Sequence, residues 1–236
     1  MHLAILMTNT NDSDFAAAHP GDGAKFTALI RSVRPHWTTQ VFAVKDGEFP
    51  TDLTPCDGAI ITGSPASVHD PDPWITDLLA LIRQMTTARL PLFGACFGHQ
   101  AIALALGGQV GPNPAGWVLG RTQTQITDPA PWMTTLPATT ALYAAHCEQV
   151  TTLPDHARTL TTSAECPIGG FAIGTHVYTT QYHPEMTPAF IAALIEHLKD
   201  DKPARVITRA RASLEGPADT EPFADSIARF FEQAAG

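Results

Sequence analysis

Apolar residues along the first hundred positions fall into short blocks that alternate between two periods. Leu3 to Met7, Val41 to Val44, Gly58 to Thr62 and Leu90 to Ala95 are short, mostly apolar runs, the texture of strands buried on both faces. Between the first two, Phe26, Leu29, Ile30 and Val33 recur at helical spacing, within a segment from about Lys25 to Val33. Ile75, Leu78, Leu79 and Ile82 repeat that spacing in a segment from Trp74 to about Met85. Gly98 to Leu106 predicts a further helix, stopped by Gly107 and Gly108. Strand alternating with helix predicts βαβ units and a parallel sheet.

The pattern then changes. Trp117 to Thr127, Ala141 to Ala145, Arg158 to Thr162 and His176 to His183 read as strands, several with alternating polarity, joined by Pro-rich turns without clear helices. From Pro188 the chain turns helical again, with Phe190, Ile191, Leu194, Ile195 and Leu198 as a packing stripe. Beyond Lys202 a stretch with Arg205, Arg209 and Arg211 leads through Gly216-Pro217 into an amphipathic segment carrying Phe223, Ile227, Phe230 and Phe231. The expected fold is α/β: a doubly wound, mostly parallel sheet with helices on both faces, an antiparallel extension and a C-terminal helical tail. The expected organisation is one domain over residues 1–201, with a helical extension over 202–236.

Composition removes several function classes. The formal charge of the 236 residues is -9 with only four lysines, so no basic stripe is present for a phosphate backbone or an anionic membrane. Nucleic acid and membrane are therefore not expected partners. The N-terminal apolar run is too short for a signal-peptide core, no later stretch has spanning length, and a cytoplasmic location is expected. Cys56, Cys96, Cys147 and Cys166 form no C-x-x-C pair, and no histidine falls in H-E-x-x-H. Free thiols and no metal site are expected.

The segment Gly94-Ala95-Cys96-Phe97-Gly98 joins a buried strand directly to a helix. It is a G-x-C-x-G form of the nucleophile elbow, where small residues two positions either side let the backbone pass close to itself. The helix N-terminus there offers free N–H groups and a partial positive charge, which stabilise a thiolate and then an oxyanion. For an arbitrary cysteine the competing reading is a small buried hydrophobe, but here both glycines, the strand and the helix agree on the elbow. In Tyr182-His183-Pro184-Glu185 a strand period of two puts His183 and Glu185 on one side, as a base and its orienting group require. Gly63-Ser64-Pro65 follows an earlier parallel strand, and such loops converge at the strand carboxyl ends. The N–H groups of Ser64 and Phe97 are candidates for an oxyanion hole, although taken alone the loop also reads as an ordinary turn.

Taken together, Gly63 with its loop, Gly94 to Gln100, and His183-Pro184-Glu185 resemble the class I glutamine amidotransferase family, over about the first 200 residues. Asp72-Pro73-Trp74-Ile75 and Asn113-Pro114-Ala115-Gly116-Trp117 look most like its stand-alone, GMP synthase-like branch, which includes γ-glutamyl peptidases. The resemblance implies a flavodoxin-like sheet, with Cys96 as nucleophile, His183 as base and Glu185 as orienter. It also implies substrate contacts from Gly63, Gln100, His146 and Cys147, no cofactor, and glutamine or a γ-glutamyl small molecule as substrate. Ser64 stands where relatives commonly have glycine, and Ala145-His146-Cys147-Glu148 departs from the family's Ser-His-Gly-Asp-like segment, which leaves the substrate more open than the chemistry. Three functions remain: an independent γ-glutamyl hydrolase, a glutaminase subunit delivering ammonia to a separate synthase, and a non-catalytic regulator on the same fold. The chain has no G-x-x-x-x-G-K-[ST] loop, so an acceptor reaction would need that other polypeptide. A regulator would be expected to lack nucleophile, base or orienter, and none is lacking. Self-association into a homo-oligomer is left open.

Overall fold

The computed structural model describes residues 1–234. β1 (His2–Leu6) leads through a single turn, α1 (Asp14–Ala17), to α2 (Asp22–Val33) and β2 (Thr38–Phe42). β3 (Gly58–Ile61), α3 (Pro73–Thr87), β4 (Leu92–Ala95) and α4 (Phe97–Ala105) continue the alternation. Then come β5 (Gln109–Pro112), β6 (Val118–Ile126), β7 (Thr139–His146), β8 (Glu148–Thr152), β9 (Ala157–Thr162), β10 (Gly170–Ile173) and β11 (Val177–Thr180). The chain closes with α5 (Pro188–His197), α6 (Ala204–Ser213) and α7 (Thr220–Ala234).

One sheet of nine strands runs in the order β2-β1-β3-β4-β11-β10-β9-β6-β7. The first five strands are mutually parallel, and from β11 outward every pairing is antiparallel. The parallel half thus has flavodoxin-like order, and the antiparallel strands extend it as expected. β5 and β8 form a separate two-stranded ribbon.

In β1, β3 and β4 the unbroken apolar runs are explained by burial on both faces, whereas β2, expected to be buried as well, is an edge strand that is largely exposed, Val41 at 44%. Leu3 and Ile5 of β1 pack with Phe26, Leu29 and Ile30 of α2 and with Phe223, Ile227, Phe230 and Phe231 of α7. Ala4 and Leu6, one residue out of phase, join Ile75, Leu78 and Ile82 of α3 and Ala101 and Ile102 of α4. α7 therefore covers the α2 face of the sheet, where Arg34, the residue that follows α2, pairs with Asp225 and Glu232. Just before it, Asp219 donates its N–H to the Ala141 carbonyl and accepts the Ala141 N–H, both at 2.7 Å, satisfying part of the outer edge of β7. α5 and α6 pack on Leu119 and Tyr143 of the antiparallel half.

The boundaries differ from expectation in three places. β2 starts at Thr38, and Val44 is instead the buried start of a 3-10 turn, Val44–Asp46. β11 ends at Thr180, so residues 181–183 lie beyond it. β5, β8 and β10 were not expected; β5 (Gln-Val-Gly-Pro) and β10 (Gly-Phe-Ala-Ile) are four-residue strands carrying the residue types that usually argue against a strand. All four cysteines are free thiols. No helix among the described residues is long and apolar enough to cross a membrane.

Candidate active site

Cys96 is the single residue between β4 and α4. Its φ of 49° and ψ of -105° lie in a region that a residue with a side chain rarely adopts, at a cost of about 1–3 kcal/mol that surrounding contacts must offset. Two features hold it there. Its N–H donates to the Thr180 carbonyl at 2.9 Å, tying the elbow to the end of β11. The flanking glycines also let the chain close: a Cβ on Gly94 would stand 2.7 Å from the Gly98 carbonyl, and one on Gly98 would collide with the Ile61 carbonyl.

His183 donates its backbone N–H to the Tyr143 carbonyl at 2.8 Å, an isolated bridge to β7. Its Nδ1 is 2.7 Å from Glu185 Oε1. A carboxylate only accepts, so Nδ1 donates and Nε2 is turned the other way, buried and without a partner. Gly63 lies between the imidazole and the elbow: a Cβ there would be 2.9 Å from His183 Cε1 and 3.6 Å from Cys96 Cβ. Cys96, His183 and Glu185 are 4%, 6% and 5% exposed, so the three predicted groups converge in a nearly closed site. Burial works against a charge on His183, but the Glu185 carboxylate and the adjacent Cys96 sulfur outweigh it and hold the imidazole well above its ordinary pKa of 6.5.

The predicted loop sits beside them. The backbone N–H groups of Ser64 and Phe97 have no hydrogen-bond partner among the described residues, whereas the next N–H of α4, that of Gly98, donates to the Thr62 carbonyl at 3.1 Å. Thr8 and Thr62, both fully buried, hold the loop from below. The Thr8 hydroxyl lies 3.0 Å from the Gly63 carbonyl, and the Thr8 N–H donates to Thr62 Oγ1 at 3.0 Å.

The other residues named from the resemblance are spread around this centre. Gln100 is buried and donates through Nε2 to the Glu148 carbonyl at 2.9 Å and to Gln181 Oε1 at 3.2 Å. His146, at the end of β7, has Nδ1 3.0 Å from the Glu148 carbonyl, which fixes the proton on Nδ1 and leaves Nε2 a free, buried acceptor. Burial pushes its pKa down to about 4, so the ring is neutral at physiological pH. Cys147 is half-buried, with burial and then Glu148 raising its thiol. A surface cleft of about 500 Å³, lined by Thr10, Asp12, Lys45, Asp46, Pro65, Ala66, Asp70, Asp72 and Trp74, adjoins the Gly63 loop but includes no member of the Cys96-His183-Glu185 group. Sequence reasoning missed Thr8, Thr62 and Gln181. No sequence motif marks Thr8, and Gln181 lies past the end of β11, where a strand period does not apply.

Comparison with known proteins places the chain in a family. The chain is 28% identical over 206 residues to gamma-glutamyl peptidase 3 of Arabidopsis thaliana, covering 84% of this chain and 82% of that one. It is 30% identical over 201 residues to gamma-glutamyl peptidase 5 of the same plant, covering 82% and 79%. The crystal structure of a glutamine amidotransferase from Thermotoga maritima superposes with a TM-score of 0.75 over 99% of this chain and 97% of that one, at 18% identity, a likeness of fold. A family model for glutamine amidotransferase class-I matches residues 26–193, and the chain belongs to that family.

Proposed function

We propose that the chain hydrolyses the side-chain amide of a γ-glutamyl compound through a γ-glutamyl thioester on Cys96, with His183 and Glu185 completing the triad. One observation carries this reading most directly: the buried, unpartnered Nε2 of a Glu185-held His183 lies beside a sulfur on a positive-φ elbow. In the first half of the reaction the sulfur attacks the amide carbon and the oxygen takes up charge. The Ser64 and Phe97 N–H groups would receive that oxyanion. His183 then protonates the departing amine, the C–N bond breaks and the thioester remains. In the second half His183 takes a proton from water, which attacks the thioester and releases glutamate and the thiol. Gln100 would hold the amino acid end of the substrate, since its Oε1 is left without a protein partner among the described residues. Gly63, His146 and Cys147 complete the proposed pocket. Free thiols at all four cysteines suit a reducing, cytoplasmic compartment.

What supports an enzyme that works without a synthase is the support beneath the oxyanion loop. In a planar trans peptide the C=O and the following N–H point in opposite directions. With the Gly63 carbonyl within reach of the Thr8 and Thr62 hydroxyls, at 3.0 and 3.2 Å, the Ser64 N–H is directed away from that pair without help from a partner chain. The purified chain is expected to release free amine from a γ-glutamyl dipeptide in a coupled assay, with no second protein added. A chain inert on glutamine and on a γ-glutamyl panel, but active once a co-purifying synthase is restored, would replace this reading with the subunit one.

Glu185→Gln separates the orienting role from the rest. Removing the carboxylate takes away the first of the influences that raise His183, so the imidazole titrates at lower pH, and kcat/KM falls roughly 10²–10⁴-fold. A group whose folded pKa is raised contributes stability that is complete below its unfolded pKa and is lost as pH rises through the folded value. The Tm difference between parent and variant should therefore be largest below about pH 6.5 and shrink above it. A histidine NMR titration unchanged by the substitution would sink the assignment of Glu185.

A further inference from the structure

Gln181 is fully buried one residue past the end of β11 and has no part in the triad, yet its Nε2 lies 3.6 Å from Cys96 Sγ. We infer that Gln181 is a fourth catalytic group, a fixed amide donor to the Cys96 thiolate. The inference rests on the triad reading, because it assigns the sulfur as the reacting atom.

The neighbours of Gln181 fix which end of its amide faces the sulfur. The Glu148 carbonyl can only accept, which requires the Gln100 group 2.9 Å from it to be the NH₂. That same NH₂ reaches Gln181 at 3.2 Å, so the Gln181 atom facing it must be the oxygen. The other end of the Gln181 amide, facing the sulfur, is then the NH₂. The chain of bonds runs from a backbone carbonyl of β8 through two buried amides to the nucleophile, and each link has one permitted polarity.

A donor so placed favours the thiolate over the thiol, as hydrogen bonds to the charged form of a group do. It also remains in place through the cycle, ready to take back the sulfur as a leaving group when the thioester opens. The chain does one further thing: it connects the amide proposed to hold the substrate's amino acid end to the sulfur it must meet. The titratable groups facing Cys96 from other elements are His183 from the loop after β11, Cys147 from the turn between β7 and β8, and Cys166 from the loop before β10. None of these is altered by a change at Gln181.

The test is the rate at which iodoacetamide alkylates Cys96, followed against pH in parent and Gln181→Leu. This reading needs no substrate, so it stands or falls separately from the choice of γ-glutamyl compound. The expected result is alkylation about tenfold slower near pH 6.5, its profile displaced to higher pH by about one unit, as loss of one charge-assisted hydrogen bond gives. On a γ-glutamyl substrate kcat should fall more than KM rises. Gln181→Met, unbranched and of similar length, should behave alike and serves if the leucine variant unfolds. An unchanged alkylation profile in folded Gln181→Leu or Gln181→Met, with only KM affected, would overturn the inference and leave Gln181 as a support for Gln100.

Discussion

Cys96→Ala is expected to lose turnover on every γ-glutamyl substrate, by roughly 10³-fold or more, while its Tm stays near that of the parent. The activity loss is large because substitution removes the atom that forms the thioester, and groups acting as one unit do not substitute for each other. The stability change is small because alanine keeps the Cβ of the strained elbow, and the backbone bond to the Thr180 carbonyl is untouched. A glutamine-like electrophile should label the parent at Cys96 and spare the other thiols. Burial raises Cys56 and Cys147 above the ordinary thiol pKa and pushes Cys166 up to about 12. These three are less available as thiolates. Turnover equal to the parent, or an adduct mapping to Cys147, would displace Cys96 from the mechanism.

The reactive centre was readable in the sequence because its parts are local. An elbow needs glycine, strand and helix within a few positions, and all are adjacent around Cys96. His183 and Glu185 are likewise two apart, although the reason given for their alignment was incomplete. The strand stops at Thr180, and His183 is placed instead by its backbone bond to Tyr143 of β7, a partner forty residues earlier that no local period reveals. Thr8 and Gln181 escaped for a related reason. Each acts on a residue far along the chain, Gly63 or Cys96, and each belongs to a type that is ordinarily polar surface. β5 and β10 escaped because their glycine and proline argue against a strand and the pairing around them overrides it, whereas β8, with Val150, Thr151 and Thr152, carries a strand signal that was overlooked.

The C-terminal extension leads to a second large effect. Ending the chain at Asp201 is expected to abolish the cooperative fold rather than to trim an appendage. Phe223, Ile227, Phe230 and Phe231 are at most 3% exposed and lie in the same cluster as Leu3, Ile5, Ile60 and Phe93 of three central parallel strands. Each such side chain contributes about 1.5–3 kcal/mol by burial, so the four together approach the whole stability of an ordinary domain, about 5–15 kcal/mol. Truncation removes them and uncovers the apolar sheet face they protect. The site is affected as well, because Tyr178, packed among Phe223 and Phe230 and bonded at 3.2 Å to Ser226, belongs to β11, the strand that delivers Gln181 and His183. The truncated chain should show weak near-UV dichroism, bind a hydrophobic dye and lack a sharp thermal transition. Phe230→Ala, a milder change, should lower stability by about 3–5 kcal/mol with the triad chemically intact. A chain of residues 1–201 that unfolds cooperatively near the parent Tm and keeps its activity would show instead that the sheet closes without α7.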